Sequence, residues 1–270
     1  MQYVIRGGIQ GRERLRLLSD VVGSSTRALL GKVAVPAGAA CLDVGCGGGD
    51  VTFDLARLVG PRGRVVGVDI DTTKIDLARR EAQERNLTNV QFATCDVTRW
   101  QPDEQFDVIY MRFLLTHLRD AAALLISLRS HLRAGGVMII EDVDFRGHFA
   151  EPPSRALDRS IELYVQAARN RGGDPFIGPK LPALLRATGL QNVQMDLVHP
   201  AALEGGVKLL TCVTLENIAD AVLQDGLASE DELRRDIEEL YAFARDPQTI
   251  IGGPRVFQVW GRQDYAHGPR

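Results

Sequence analysis

Asp43, Gly45, Gly47 and Gly49 stand two residues apart in "LDVGCGGGD" (42–50), with Gly48 between the last two. Glycine loses more conformational freedom on folding than any other residue, so such a cluster implies a close approach to the backbone. Lying between an apolar run and a helical pattern, this turn brings backbone N–H groups against a ligand. The spacing reads D-x-G-x-G-x-G, whereas a dinucleotide fingerprint reads G-x-G-x-x-G; counted from Gly45, position 50 is Asp instead of Gly or Ala. Asp50 at a helix start also sets a like charge where a pyrophosphate would bind. A cationic, phosphate-free ligand is the better match. That favours S-adenosylmethionine over NAD.

Two further acids fall where an adenosine needs them. Asp69 closes the run "GRVVGVD" and is placed to accept from both ribose hydroxyls. Asp96 closes "NVQFATCD" and is placed to accept from the exocyclic amine of adenine, with Val97 offering a backbone N–H. Ile70 is positioned to lie against the adenine face.

These residues need elements to hold them at one edge of a sheet. Short β-rich runs alternate with helical patterns from about residue 40 to 143. Strands are expected at 39–45, 63–69, 89–96, 105–111 and 136–143, with helices at 50–59, 71–86 and 120–136. Asp50 is the expected cap of the first of these helices. Alternation of this kind implies βαβ units and a parallel sheet covered on both faces. A helix over 154–173, an amphipathic helix over 181–190, a sixth strand at 192–199, a helical stretch at 204–246 and a seventh strand at 255–263 follow. The organisation expected is an N-terminal helical segment (1–35) and a core (36–270) with helical insertions at about 145–178 and 200–250. In such sheets ligands sit outside the carboxyl ends of the strands, where the strand order reverses.

Taken together, "LDVGCGGG", "VVGVDID", "ATCDV" and "FDVIYMRFLLTHL" resemble, in order and spacing, the class I S-adenosylmethionine-dependent methyltransferases. The resemblance implies an α/β, Rossmann-like fold: a seven-stranded, mostly parallel sheet whose last strand runs antiparallel, with helical lid insertions. By that resemblance Asp43, Gly45, Gly47, Asp69, Asp96 and Val97 contact the cofactor, and Arg112 lies near its methionine end. The implied activity is methyl transfer to oxygen or nitrogen of a small molecule. An S-adenosylmethionine-binding protein without transfer activity and an NAD-dependent oxidoreductase are the alternatives.

Because the sulfonium is already activated, alignment of the reacting atoms can supply about 7–11 kcal/mol, and a general base helps only where the nucleophile must lose a proton. His117 in "LLTHLRD" and His148 in "DVDFRGHF" follow strands four and five and are the candidate catalytic residues. Glu141, Asp142 and Asp144 crowd the same edge, as a base or a clamp for a substrate amine. In similar methyltransferases a leading segment folds over the cofactor, so Tyr3 or one of Arg12, Arg14 and Arg16 is a partner for its carboxylate; a solvated basic face accounts for most of these arginines. The apolar stripes of the insertions (Ile161, Leu163, Tyr164; Leu209, Leu210, Leu215) are read as packing. His131, His199 and His267 have no such placement.

The 270 residues carry a formal charge of −3, with 45% hydrophobic and 25% charged content, as in an ordinary folded protein. The basic surplus of a nucleic-acid grip is missing, and "YMRF" stands where base methylases carry N-P-P-Y. No apolar run approaches a membrane span, and the four cysteines form neither CxxC pairs nor clusters with histidine. Expected, then, are a cytoplasmic location, no metal, and a small-molecule partner rather than nucleic acid or membrane, with a homodimer as the admitted assembly.

Overall fold

The structure, a computed structural model, describes residues 4–100 and 103–264; Tyr3 and His267 lie outside the described residues. The chain opens with α1 (Gly8–Val33), followed by β1 (Ala40–Val44), α2 (Asp50–Val59), β2 (Arg64–Asp69), α3 (Thr72–Glu84), β3 (Val90–Thr94) and β4 (Phe106–Arg112). Next come α4 (Ala121–Arg129), β5 (Leu132–Asp144), β6 (Phe149–Glu151), α5 (Arg155–Asn170), α6 (Leu181–Ala187) and β7 (Gln191–Val198). The remainder is β8 (Ala201–Ala202), α7 (Gly206–Asn217), α8 (Ala219–Gln224), α9 (Glu230–Arg245), β9 (Ile250–Gly252) and β10 (Arg255–Arg262).

Seven strands form one sheet in the order β3-β2-β1-β4-β5-β10-β7. The pairs from β3 to β5 are parallel, and β10 runs antiparallel to both β5 and β7. The order reverses between β1 and β4, so the glycine turn after β1 opens at the switch point.

Successive residues of a strand face opposite sides, and both sides are dry here. Leu42, Val44, Ile109, Met111 and Ile140 pack on one face with Leu124, Leu125 and Leu128 of α4 and Leu181 and Leu185 of α6. Cys41, Val108, Tyr110 and Ile139 pack on the other with Leu29, Leu30 and Val33 of α1 and Leu55 and Val59 of α2.

Three local expectations are corrected. The helix expected at 120–136 ends at Arg129, and the chain turns back so that Leu132 already pairs with Phe106 in the sheet. A leucine-rich run fits either element by periodicity; burial of Leu132 against the core decides for the strand. Second, Gly49, not Asp50, is the N-cap of α2, in a left-handed conformation that favours glycine. Asp50 turns away to Arg12.

The third correction concerns the insertions. They are not helical throughout: β6, β9 and β8 form a small antiparallel sheet joining the start of the first insertion to both ends of the second. Above it Leu157, Leu163 and Tyr164 of α5, Cys212 and Leu215 of α7, Val222 of α8 and Leu240 of α9 share one core with Leu18 and Val22 of α1. Lys208, fully buried, fastens α7 by donating to the carbonyls of Leu203, Asp246 and Thr249. The N-terminal helix and both insertions thus close over the carboxyl edge as one roof.

Candidate active site

A cavity of about 650 Å³ lies between that edge and the roof, within the range of sites that enclose small molecules. Its floor comes from the ends of β1, β2 and β4, through Asp43, Gly45, Gly47, Asp69, Ile70 and Arg112. A narrow slot beside it, also touching Gly45, Asp69 and Ile70, is lined by Asp96 and Val97. All eight residues expected to meet a cofactor therefore surround two adjoining spaces.

The glycine turn is held from several directions. Gly45 and Gly47 have φ of +71° and +54°, a region that side chains other than glycine rarely adopt. A Cβ on Gly47 would lie 2.7 Å from Leu15 Cδ1, and one on Gly48 would lie 2.1 Å from Arg12 Nε. What comes close to this backbone includes α1 itself, a partner the sequence did not indicate.

Arg12 changes the electrostatics of the turn. It is 3% exposed and donates to both oxygens of Asp50, at 2.6 and 2.9 Å, and to Glu81 at 3.1 Å. The Asp50 charge is therefore compensated, and like-charge repulsion does not explain the choice of ligand. Arg12 and Leu15 occupy the space over Gly48 and Gly47. The expectation of a solvated basic face holds for Arg16, whose side chain is 61% exposed, and fails for Arg12 and Arg14.

The acids divide by partner. Asp69 accepts from the backbone N–H of Gly47 and of Asp71, both at 2.9 Å, and a carboxylate's remaining lone pairs suit a diol. Asp96 uses Oδ1 for the N–H and hydroxyl of Thr98, and its Oδ2 has no hydrogen bond among the described residues. Asp43, 2% exposed, accepts from the Thr52 hydroxyl at 2.6 Å. Burial pushes its carboxyl up to about 7, opposed by that hydrogen bond and by the charge of Arg112.

Beyond the floor, His117 and His148 both line the cavity, as expected. Burial pulls His117 down to about 3, with Arg14 and Lys74 adding to the effect, and pulls His148 down to about 4. His148 donates from Nδ1 to the carbonyl of Phe145 at 2.9 Å, which leaves Nε2 as its lone-pair nitrogen. Both rings are neutral at physiological pH.

Glu141, Asp142 and Asp144 do not line the cavity and are fully committed elsewhere. Glu141 accepts from Tyr110 and Gln258, Asp142 from the backbone of Thr116 and Val143, and Asp144 from Arg146 and Arg255. Conversely, Ile161, Tyr164, Leu210 and Leu215, read as packing, line the cavity. The sequence also missed Thr214, whose significance depends on where α7 lands.

The match of residues 36–170 to a family model described as a methyltransferase domain agrees with this geometry. The trans-aconitate 2-methyltransferase of Methylobacterium radiotolerans is 29% identical over 250 residues, covering 86% of this chain and 90% of that protein. The ubiquinone/menaquinone biosynthesis C-methyltransferase UbiE of Hahella chejuensis is 29% identical over 144 residues, 53% of this chain and 55% of that protein. In fold the chain is similar to the crystal structure of a methyltransferase from Bacillus halodurans, with a TM-score of 0.61 at 18% identity, over 89% of this chain and 99% of that one. With the glycine turn, the two acids and the reversed last strand in place, the chain belongs to the methyltransferase-domain family, as a class I S-adenosylmethionine-dependent methyltransferase.

Proposed function

We propose that the chain methylates oxygen or nitrogen of a small molecule held between the sheet edge and the helical roof. One observation carries this reading: the 650 Å³ cavity runs without a break from the glycine turn and Asp69 to Tyr164 of α5 and Leu210 of α7. The relatives described above are named for small molecules, which supports a small-molecule acceptor; one is named as a C-methyltransferase, so the choice of oxygen or nitrogen rests on this proposal alone.

The donor set suits the cofactor. Asp69 would take the ribose diol, while Asp96 and the Val97 N–H would take the adenine edge with Ile70 against the ring. Arg112, which donates to Thr26 at 3.1 Å and whose charge reaches Asp43, would meet the carboxylate. When bound, S-adenosylmethionine supplies a methyl carbon that the acceptor's lone pair attacks as the carbon–sulfur bond breaks, its electron pair staying on sulfur.

The chain's own contribution is alignment and exclusion of water. An imidazole held at about 3 or 4 has little driving force to remove a proton near pH 7, so His117 and His148 serve best as neutral walls and hydrogen-bond partners. The proton of an O–H or N–H acceptor would leave to solvent once the methyl group is in place. Well-aligned reactants are worth about 7–11 kcal/mol, enough to carry much of such a reaction.

Two measurements test the proposal. Calorimetric titration with S-adenosylhomocysteine should show weaker binding for Asp96→Ala and unchanged binding for His117→Gln; equal weakening of both overturns the division of roles. Incubation with methyl-labelled S-adenosylmethionine and a size-fractionated extract should label the low-mass fraction. Label only in protein or nucleic acid overturns the small-molecule acceptor.

A further inference from the structure

The cavity is lined by several cations, and two of them, Arg112 of the floor and Arg14 of the roof, form no ion pair among the described residues. Arg6 is paired with Asp220 at 2.6 Å, Arg171 with Asp225 at 2.7 Å and Lys74 with Asp71 at 3.5 Å. Arg14 has no carboxylate partner among the described residues. Its Nε donates to Thr214 Oγ1 at 3.1 Å, and Thr214 passes its own proton to the Leu210 carbonyl at 2.6 Å. The two Nη groups of Arg14 form no hydrogen bond with any described residue. Arg14 is drawn out of water far enough that burial lowers its pKa. An uncompensated guanidinium in such surroundings is costly, and its flat fork of N–H donors matches a carboxylate.

Position separates this group from the cofactor end. The charge of Arg112 acts on Asp43 at the glycine turn, whereas Arg14 acts on His117 and Tyr164. Thr214 and Tyr164 both belong to the roof insertions. Asn217, three residues on from Thr214 along α7, does not add to this site: its Nδ2 donates to the Val213 carbonyl at 2.9 Å and its Oδ1 is buried away from the cavity space.

We infer that the methyl acceptor is a small carboxylic acid, anchored by its carboxylate on the free Nη groups of Arg14, whose Nε is held in place by Thr214. One guanidinium balances one carboxylate, which favours a carboxylate over a phosphate dianion. The inference rests on the reading of the cavity as a methyl-transfer site and extends it to substrate class. Arg14 would be a specificity-determining residue of the roof, not a cofactor ligand.

The test uses 3-hydroxybenzoate, anthranilate and lactate, each beside its uncharged amide, with S-adenosylhomocysteine release and calorimetry as readouts. The wild-type protein should favour at least one acid over its amide by tenfold or more. Arg14→Gln should bring that ratio near one while S-adenosylhomocysteine affinity stays within twofold, and Arg14→Lys should restore part of the preference. A tenfold loss of S-adenosylhomocysteine affinity in Arg14→Gln overturns the inference by giving the guanidinium to the cofactor. Equal handling of acids and amides by the wild type overturns it too, as does a preference for a phosphomonoester such as phenyl phosphate. Should Arg14→Gln fail to fold, the wild-type ratio and the Arg14→Lys variant decide alone. A wild type that does not bind S-adenosylhomocysteine at all sinks the methyl-transfer reading itself, a failure distinct from loss of acid preference.

Discussion

The floor and the roof of the cavity are built on different principles. On the floor, Asp43, Gly45 and Gly47 fall within five residues, Asp69 ends β2, and Asp96 lies two residues past the end of β3 in the same sheet. Their positions follow from a βαβ topology that admits few arrangements. In the roof, Arg14 of α1 meets Thr214 of α7 across 200 residues, and Tyr164 comes from α5. No local spacing relates these three. On the proposed reading the floor holds the cofactor and the roof holds the acceptor. Floor and roof meet at Arg12, which belongs to the roof helix yet neutralises Asp50 at the floor.

That comparison can be broken at its joint. Arg12→Met leaves Asp50 without its guanidinium and Glu81 with only the more exposed Arg16 and Arg85, and should cost about 3 kcal/mol, lowering Tm by roughly 5–10 °C. A thermal melt checks it; a Tm within 2 °C of wild type would mean that α1 seats on the turn by apolar packing alone. Next in size, Asp69→Ala removes the acceptor for two backbone N–H groups and for the proposed ribose contact. S-adenosylhomocysteine affinity should fall about 100-fold by calorimetry, on the scale of hydrogen bonds to charged groups.

A pH series sharpens the picture of the floor. Asp43 has its carboxyl raised from 3.8 to about 7, so the folded chain keeps a proton there that the unfolded chain has lost. This contribution is fully present below about pH 4 and fades as pH rises through 7. Asn has no such proton to lose. The stability of Asp43→Asn relative to wild type should therefore climb between pH 4 and 7, by up to about 4 kcal/mol. Denaturant melts at pH 4.5, 5.5, 6.5 and 7.5 read it, and a difference independent of pH would contradict the buried, protonated carboxyl. The smallest effect is expected in the roof. Thr214→Val removes one hydroxyl acceptor from Arg14 and should raise the acceptor KM three- to fivefold with kcat and cofactor affinity unchanged, a loss of about 1 kcal/mol.

Much of the fold was legible because its signals are local. Apolar runs of strand length, glycines after the first of them and helical periodicity between them placed five parallel strands and the two that follow. Boundaries failed where a segment satisfies two periodicities, as in the leucine-rich stretch that became α4 and the start of β5. The small sheet of β6, β8 and β9 escaped notice because strands of two or three residues carry no periodic pattern.

The cofactor residues were legible for the same reason, and the electrostatic argument attached to Asp50 was not, because its neutralising partner is 38 residues away. Sequence by itself determined the α/β topology, the glycine turn at the switch point and the acids beside it, since each depends on neighbours in the chain or on strand order. Only the tertiary structure decided that Arg12 is buried while Arg16 is solvated, that both histidines are held neutral, and that Arg14 faces the cavity without a counter-charge. Those properties are set by what packs against a side chain from distant segments, and exposure, desolvation and pairing are not encoded in local spacing.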